Sequence, residues 1–274
     1  MLTRPIPATG ETLPVIGLGT WQAFDVALRE AERAPLRAVM RALASGGGQV
    51  IDSSPMYGRA EETVGDLLAE LGQPERRFLA TKVWTTGRDA GIRQMETSFR
   101  RLRTSRMDLM QIHNLVDWRT HAATLAGWKA EGRVRYVGVT HYHAGAHAEL
   151  ARVVADGGFD FVQVNYSIGE PEAQDTVLPA AAATGTAVLV NRPFGQGDLL
   201  RRVRGRPLPG WAAEIGCTSW SAFLLKWIVG HPAVTCVIPG TGNAAHMAED
   251  LAAGRGTLPD ATMRARMATL VRDR

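Results

Sequence analysis

The sequence predicts a (β/α)8 barrel, closed at its bottom by an N-terminal β-hairpin, as one domain over residues 1–274. Three observations carry that reading. Eight short apolar runs alternate with eight helix-length amphipathic stretches. The runs are near-continuous in Val, Ile and Leu, as strands covered on both faces must be. No Ser/Gly-rich linker or low-complexity stretch divides the 274 residues. An open doubly wound sheet is the alternative. Against it, the first strand-to-helix turn, GLGTWQAFD, is not a GxGxxG running straight into a helix, and no GxxxxGK occurs.

The elements follow in order. Residues 3–19, TRPIPATGETLPVIGLG, read as a hairpin that turns at TG and GE and then enters the first strand, VIGLG (15–19). PLRAVMRALASG (35–46) is the first helix and QVID (49–52) the second strand. AEETVGDLLAEL (60–71), FLATKV (78–83), AGIRQMETSFRRL (90–102) and LMQIH (109–113) continue the alternation. HAATLAGWKAEG (121–132), RYVGV (135–139), AGAHAELARVVADG (144–157) and FVQVN (161–165) come next. EAQDTVLPAAAATG (172–185), AVLVN (187–191), TSWSAFLLKWIVG (218–230), VTCVI (234–238) and AAHMAEDLAAG (244–254) complete the set. Glycine closes several of these helices, the usual C-terminal signal. After the last there is only the short tail TLPDATMRARMATLVRDR (257–274).

Composition narrows the function classes. The net charge of +4, with acids nearly matching bases, gives no footprint for nucleic acid. No apolar run approaches the ~20 residues of a membrane span, and the N-terminus lacks the apolar core of a signal peptide. A cytoplasmic protein without nucleic-acid or membrane partners is expected. Cys217 and Cys236 form neither a disulfide framework nor a paired metal spacing, and read as buried thiols. No HExxH occurs, and HYH (141–143) alternates along the chain, so no metal is expected. The run RRLRTSR (100–106) reads as a solvated helix end, whereas RRVRGR (201–206), after a glycine-rich loop, is open as an anion contact. Only Lys82, Lys129 and Lys226 are lysines among 31 basic residues. Where arginine is the default cation, a retained lysine suggests a need for its compact charge and tunable pKa.

In a barrel, catalytic groups gather at the C-terminal strand ends and the loops beyond them. Those ends carry Asp52, Lys82, His113, Thr140 with His141, Asn165, and Asn191 with Arg192. Tyr57 lies on the loop SSPMYG (53–58) that leaves Asp52. Each alone has a plainer role, as helix cap, packing ring or surface charge. Asp52, Tyr57, Lys82 and His113, however, come from three consecutive strands and face one rim. A free tyrosine has a pKa of about 10, and a nearby ammonium favours its phenolate. A carboxylate holds that ammonium in place, and a histidine on the next strand can hydrogen-bond a carbonyl oxygen. Together they form a proton donor aimed at an oxygen that gains charge. Reduction of an aldehyde or ketone needs this, if hydride arrives from elsewhere.

Over nearly the whole chain the sequence resembles the aldo-keto reductase family. The resemblance rests on GLGTW, Asp52 with SSPMYG, TKVW, QIHN, VGVTHY, FVQVNYS, NRPFGQGDLL and IPGTGNAAHMAEDL occurring in order. It implies Tyr57 as general acid, tuned by Lys82 and Asp52, with His113 positioning the carbonyl. It implies a nicotinamide cofactor, NADPH with NADH as the alternative, held along Gly19, Thr20, Trp21 and Asp52. Thr140, His141 and Gln163 would hold its carboxamide. Asn191 stands where the family often stacks a tyrosine. Arg192, Pro193, Phe194, Gly195, Gly197 and Leu200 would cover the phosphates. Gly240, Thr241, Asn243, Glu249 and Asp250 would meet the adenosine. Gly240 and His246 occupy positions where many members carry Lys and Arg for the 2′-phosphate. The short tail implies an open pocket lined by Trp21, Met56, Trp84, His113 and Trp118, suited to a small-molecule aldehyde or ketone. Two other functions compete: a Schiff-base aldolase or lyase using Lys82, and a cofactor-binding accessory protein with little turnover.

Overall fold

The computed structural model describes residues 1–27, 29–72 and 77–272. The chain opens with the hairpin β1 (Thr3–Pro5) and β2 (Thr12–Pro14), antiparallel with Thr3 opposite Pro14. Eight strands follow: β3 (Leu18–Gly19), β4 (Val50–Asp52), β5 (Phe78–Val83), β6 (Met107–His113), β7 (Val134–His141), β8 (Phe161–Asn165), β9 (Ala187–Asn191) and β10 (Cys236–Val237). They lie side by side in chain order, each pair parallel. Parallel bridges between Ile16 and Val237 and between Gly19 and Gly240 join the last strand to the first and close the barrel.

The strand period of two divides the barrel interior by height. Near the strand starts, Phe78, Leu109, Tyr136, Phe161 and Ala187 meet in one buried cluster with Ile6 and Leu13 of the hairpin segment. Ile6 and Leu13 are fully buried, so the hairpin plugs the barrel rather than resting on it. Tyr136 fastens it, sharing a hydrogen bond of 2.8 Å with Thr9 Oγ1 and donating to Glu11 Oε2 at 2.6 Å. Stepping upward by two from this apolar floor brings Asp52, Lys82, Gln111, His113, Thr140, Gln163 and Asn191 to the upper interior. Gly138 makes room there: a Cβ would stand 2.8 Å from the Phe161 carbonyl oxygen.

Helices α1 (Glu30–Ser45), α2 (Ala60–Leu71), α3 (Arg88–Arg101), α4 (Trp118–Ala130), α5 (His147–Ala155) and α6 (Val177–Thr184) alternate with the strands. α7 (Asp198–Arg202), α8 (Trp220–Val229), α9 (Ala244–Ala252) and α10 (Ala261–Arg272) follow. The helices expected over 144–157 and 172–185 each begin with a separate 3-10 turn, at Ala144–Ala146 and Glu172–Asp175, and three further segments differ more from the sequence reading. α1 starts at Glu30 and runs through Pro35, its first turns tied by Arg37 to Glu30 at 2.8 Å and to Glu70 of α2 at 2.8 Å. α7 is a single extra turn inside the glycine-rich loop. The tail expected to be plain is helical as α10, burying Met267 and Val271 against the barrel's helical layer. Residues 273–274 of that tail lie outside the described residues. No helix of the described residues is long and apolar enough to cross a membrane.

Candidate active site

The loop after β4 is built to present one ring. Thr20 donates from its backbone N–H and its hydroxyl to Asp52 O (3.0 and 2.9 Å), fixing the strand end. Tyr57 N–H then donates to Ser54 O at 3.0 Å in a tight turn. Gly58 has φ +56 and packs so closely on Asp25 that a Cβ would lie 2.2 Å from its carboxylate. That carboxylate also accepts from Arg59 N–H at 2.9 Å, tying the loop to the one after β3. Tyr57 is left half-buried at the rim, its ring edge-on to His113 with centroids 5.9 Å apart.

Beneath the ring, Lys82 is fully buried and donates to Asp52 Oδ2 at 2.6 Å and Ser53 O at 2.7 Å. Its Nζ lies 5.0 Å from the centre of the Tyr57 ring. Asp52 Oδ1 accepts from Gln111 Nε2 at 3.0 Å and from Gln163 Nε2 at 2.9 Å. The carboxylate is therefore held on both oxygens, which a buried charge requires. Burial works against the Lys82 charge, but Asp52 and Tyr57 outweigh it and its pKa rises, so Lys82 is an ammonium. For Tyr57, burial pushes the pKa up and Lys82 opposes it, and the net direction is upward. The expected lowering by Lys82 is thus outweighed by desolvation, and the phenol keeps its proton at neutral pH.

His113 is held differently. Met56 N–H donates to Ser54 Oγ at 3.4 Å, and Ser54 Oγ shares a 3.0 Å hydrogen bond with His113 Nδ1. Burial, with Lys82 and His141 nearby, takes the His113 pKa down to about 2. A neutral ring that accepts from Ser54 at Nδ1 carries its proton on Nε2.

These groups stand at the floor of a cavity of about 620 Å³. Asp52, Tyr57, His113, Thr140, Gln163 and Asn191 line its base, Trp21, Met56, Trp84 and Tyr142 its mouth, and Arg192, Pro193, Phe194, Gly197 and Leu200 its roof. The exposed large hydrophobic side chains among the described residues are Trp21, Met56, Trp84 and Tyr142, so all of them border this one opening. Four non-glycine residues with left-handed backbone, Gln22, Asn114, Arg192 and Gln196, also line it. Such strain concentrates where loops are held for binding.

Several expected residues lie elsewhere. His141 does not line the cavity. Its neighbour Thr140 points inward, so the strand alternation turns His141 out. There its Nδ1 accepts from Tyr142 N–H and His143 N–H, and its ring stacks on Tyr142. Trp118 is also absent from the lining. It opens α4 after the left-handed Asp117 and packs edge-on against Phe159, with Arg119 over its face. Thr20 does line the cavity, but its hydroxyl is buried and committed to Asp52 O and Ser53 Oγ. Gly195 lies in the turn of the 192–197 loop, where its N–H meets Arg192 O at 3.0 Å. Asn243 caps α9, accepting from Ala245 N–H at 2.8 Å.

Thr241, Glu249 and Asp250 line a second cavity of about 290 Å³, which shares Phe194, Leu200 and Gly240 with the first. Gln111 and Ser54, not picked out in the sequence, hold Asp52 and His113. Gln111 was findable, two residues before His113 and therefore on its side of β6. No cluster of metal-ligating side chains occurs among the described residues.

Fold and site together define a barrel enzyme with a tyrosine–lysine–aspartate–histidine floor. The model of the Aldo/keto reductase family matches residues 15–268, and the chain belongs to that family. It is 29% identical over 261 residues to methylglyoxal reductase YeaE of Escherichia coli strain K12, covering 92% of this chain and 89% of that one. It is 31% identical over 230 residues to an aldo-keto reductase of Mycobacterium sp. strain KMS, covering 80% of this chain and 76% of that one. Among solved structures it resembles an aldo-keto reductase from Klebsiella pneumoniae in complex with NADPH, with a TM-score of 0.81, 26% identity, and coverage of 99% and 96%.

Proposed function

We propose that this chain is an NADPH-dependent reductase of apolar aldehydes or ketones, with Tyr57 as the proton donor. The observation that carries the reading is the buried Lys82–Asp52 pair, 2.6 Å apart, beneath the Tyr57 ring at the floor of a hydrophobic-mouthed cavity.

The cavity suits a nicotinamide dinucleotide. Asn191 Oδ1 is buried at its base without a partner among the described residues, an acceptor that a carboxamide N–H can satisfy. Gln163 Oε1 has only long contacts, 3.5 Å from Thr140 and 3.4 Å from Asn191, and offers a second acceptor. Gly197 holds φ +85 in the roof, a backbone state an L side chain rarely adopts. Thr140, Gln163 and Asn191 would hold the carboxamide and the 192–200 loop the phosphates. Bound there, NADPH supplies a hydride to the carbonyl carbon. His113 Nε2–H donates to the carbonyl oxygen and sets its position. As that oxygen gains negative charge, the Tyr57 hydroxyl passes its proton to it. The phenolate left behind is stabilised by the Lys82 ammonium, which Asp52 keeps charged.

A Schiff base at Lys82 is disfavoured. Such chemistry needs an accessible neutral amine, and Lys82 is sealed from the cavity and charged. The aromatic mouth favours substrates with an apolar body. A panel of aryl and alkyl aldehydes, ketones and methylglyoxal, followed at the cofactor's absorbance with NADPH and with NADH, tests the reading. Aryl aldehydes are expected to give the highest kcat/KM. No carbonyl-dependent oxidation of either cofactor by any member would refute it and leave the accessory-protein alternative.

A further inference from the structure

The second cavity poses a question of charge. It opens from the first beside Phe194, Leu200 and Gly240, so a ligand lying along the roof loop extends into it. Trp220 supplies an aromatic plate, and Ser221 and the buried Asp250 supply polar groups. On the β10–α9 side the lining is Gly240, Thr241, His246 and Glu249, with no permanent cation. The one guanidinium in the lining comes from the opposite direction, from Arg204 on the segment after α7.

Three features single out Arg204 within RRVRGR. Arg201 and Arg202 both pair with Asp198, whereas Arg204 and Arg206 make no ion pair among the described residues, and of those two Arg204 lines the cavity. Its loop is folded, not trailing: Arg204 N–H donates to Arg201 O at 3.3 Å, Arg206 N–H to Val203 O at 3.1 Å, and Gly205 turns with φ +72. Trp220 Nε1 then pins the loop by donating to Arg206 O at 2.8 Å. The side chain that plates the cavity thus also anchors the loop that brings Arg204 to its edge. A planar guanidinium without an ion-pair partner among the described residues, at the edge of a cavity that also carries Thr241, is suited to a phosphate monoester. Glu249 is the opposing feature, because an acidic side chain suits a free ribose hydroxyl.

We infer that Arg204 reads the 2′-phosphate of the cofactor's adenosine half, supplying from the loop after α7 the cation that the β10–α9 segment lacks. The inference rests on the dinucleotide reading above and adds to it the residue that sets NADPH over NADH.

Two fragments test it without turnover. Calorimetric titration of the intact protein with adenosine 2′,5′-bisphosphate and with adenosine 5′-monophosphate measures what the extra phosphate contributes. The wild type should favour the bisphosphate by on the order of tenfold or more, as expected for a charge-assisted contact. Arg204→Gln should remove most of that preference while changing monophosphate affinity less than about twofold. Arg204→Lys should restore part of it. Arg202→Gln, which alters the same net charge at a residue paired with Asp198, should leave the preference intact. If Arg204→Gln keeps the preference, or the wild type shows none, the inference is overturned and the dinucleotide reading stands. If neither fragment nor NADPH itself binds, the dinucleotide reading fails and takes the inference with it.

Discussion

Lys226 sits inside the barrel's outer layer with its ammonium donating to three carbonyl oxygens, those of Ile215 (2.6 Å), Arg255 (2.6 Å) and Thr257 (2.8 Å). Three donors on one atom clamp the turn at Ile215 to the 255–257 segment, a task for which a planar guanidinium has the wrong shape. Lys129 places its ammonium on both oxygens of Asp160, and Lys82 serves Asp52 and Ser53. The scarcity of lysine was informative for two of the three, because Lys82 and Lys226 are buried compact donors, whereas Lys129 makes its pair from an exposed position. Asp250 shows a second residue-scale effect. Burial, with Glu249 adding to it against a bond from Ser221, lifts its pKa to about 8. In the unfolded chain it ionises at about 3.9. The folded state thus binds a proton that the unfolded state releases, so this residue's stabilisation is whole below about pH 4 and is lost as pH rises towards 8. Asp250→Asn removes the titration. In thermal melts, the variant's Tm relative to wild type should climb from about pH 5 to about pH 8 and level off beyond. A difference constant across that range would show that Asp250 does not titrate there.

At the scale of elements, the barrel floor and rim are set by different pieces of chain. The hairpin delivers Ile6 and Leu13 to the lower interior, far along the strands from Tyr57. Ile6→Ala should cost about 2–5 kcal/mol of stability by leaving a void under Phe78 and Phe161. Denaturant titration measures that loss, and kcat at a temperature where the variant is folded should be unchanged. A large fall in kcat with little loss of stability would mean that the plug reaches the site. The strands were readable because burial on both faces leaves only apolar runs between polar ends. α10 was not, because Met263, Met267, Leu270 and Val271 fall at helical spacing among arginines and need the barrel's outer layer to be worth burying. The extra turns at the start of α1 depend on partners in α2, which no local pattern reveals.

The whole molecule reads as a gradient along the barrel axis: hairpin plug, apolar floor, buried ion pair, phenol, hydrophobic mouth. That Asp52, Tyr57, Lys82 and His113 would share one rim was legible, since strand ends in a parallel barrel converge. Which neighbour on a strand points inward required only the period of two, and by that rule His141 and Thr140 cannot both face the cavity. The direction of Trp118 was not legible, because it follows left-handed turns at Asn114, Leu115 and Asp117. The central claim is that the Tyr57 hydroxyl, over Lys82 and Asp52, gives the proton. The most direct measurement pairs single-turnover reduction of an aryl aldehyde with NADPH titration in Tyr57→Phe. Loss of the oxygen should slow turnover by about 100-fold or more while NADPH affinity stays within about threefold of wild type. Turnover at the wild-type rate by a variant with no phenol oxygen would contradict it.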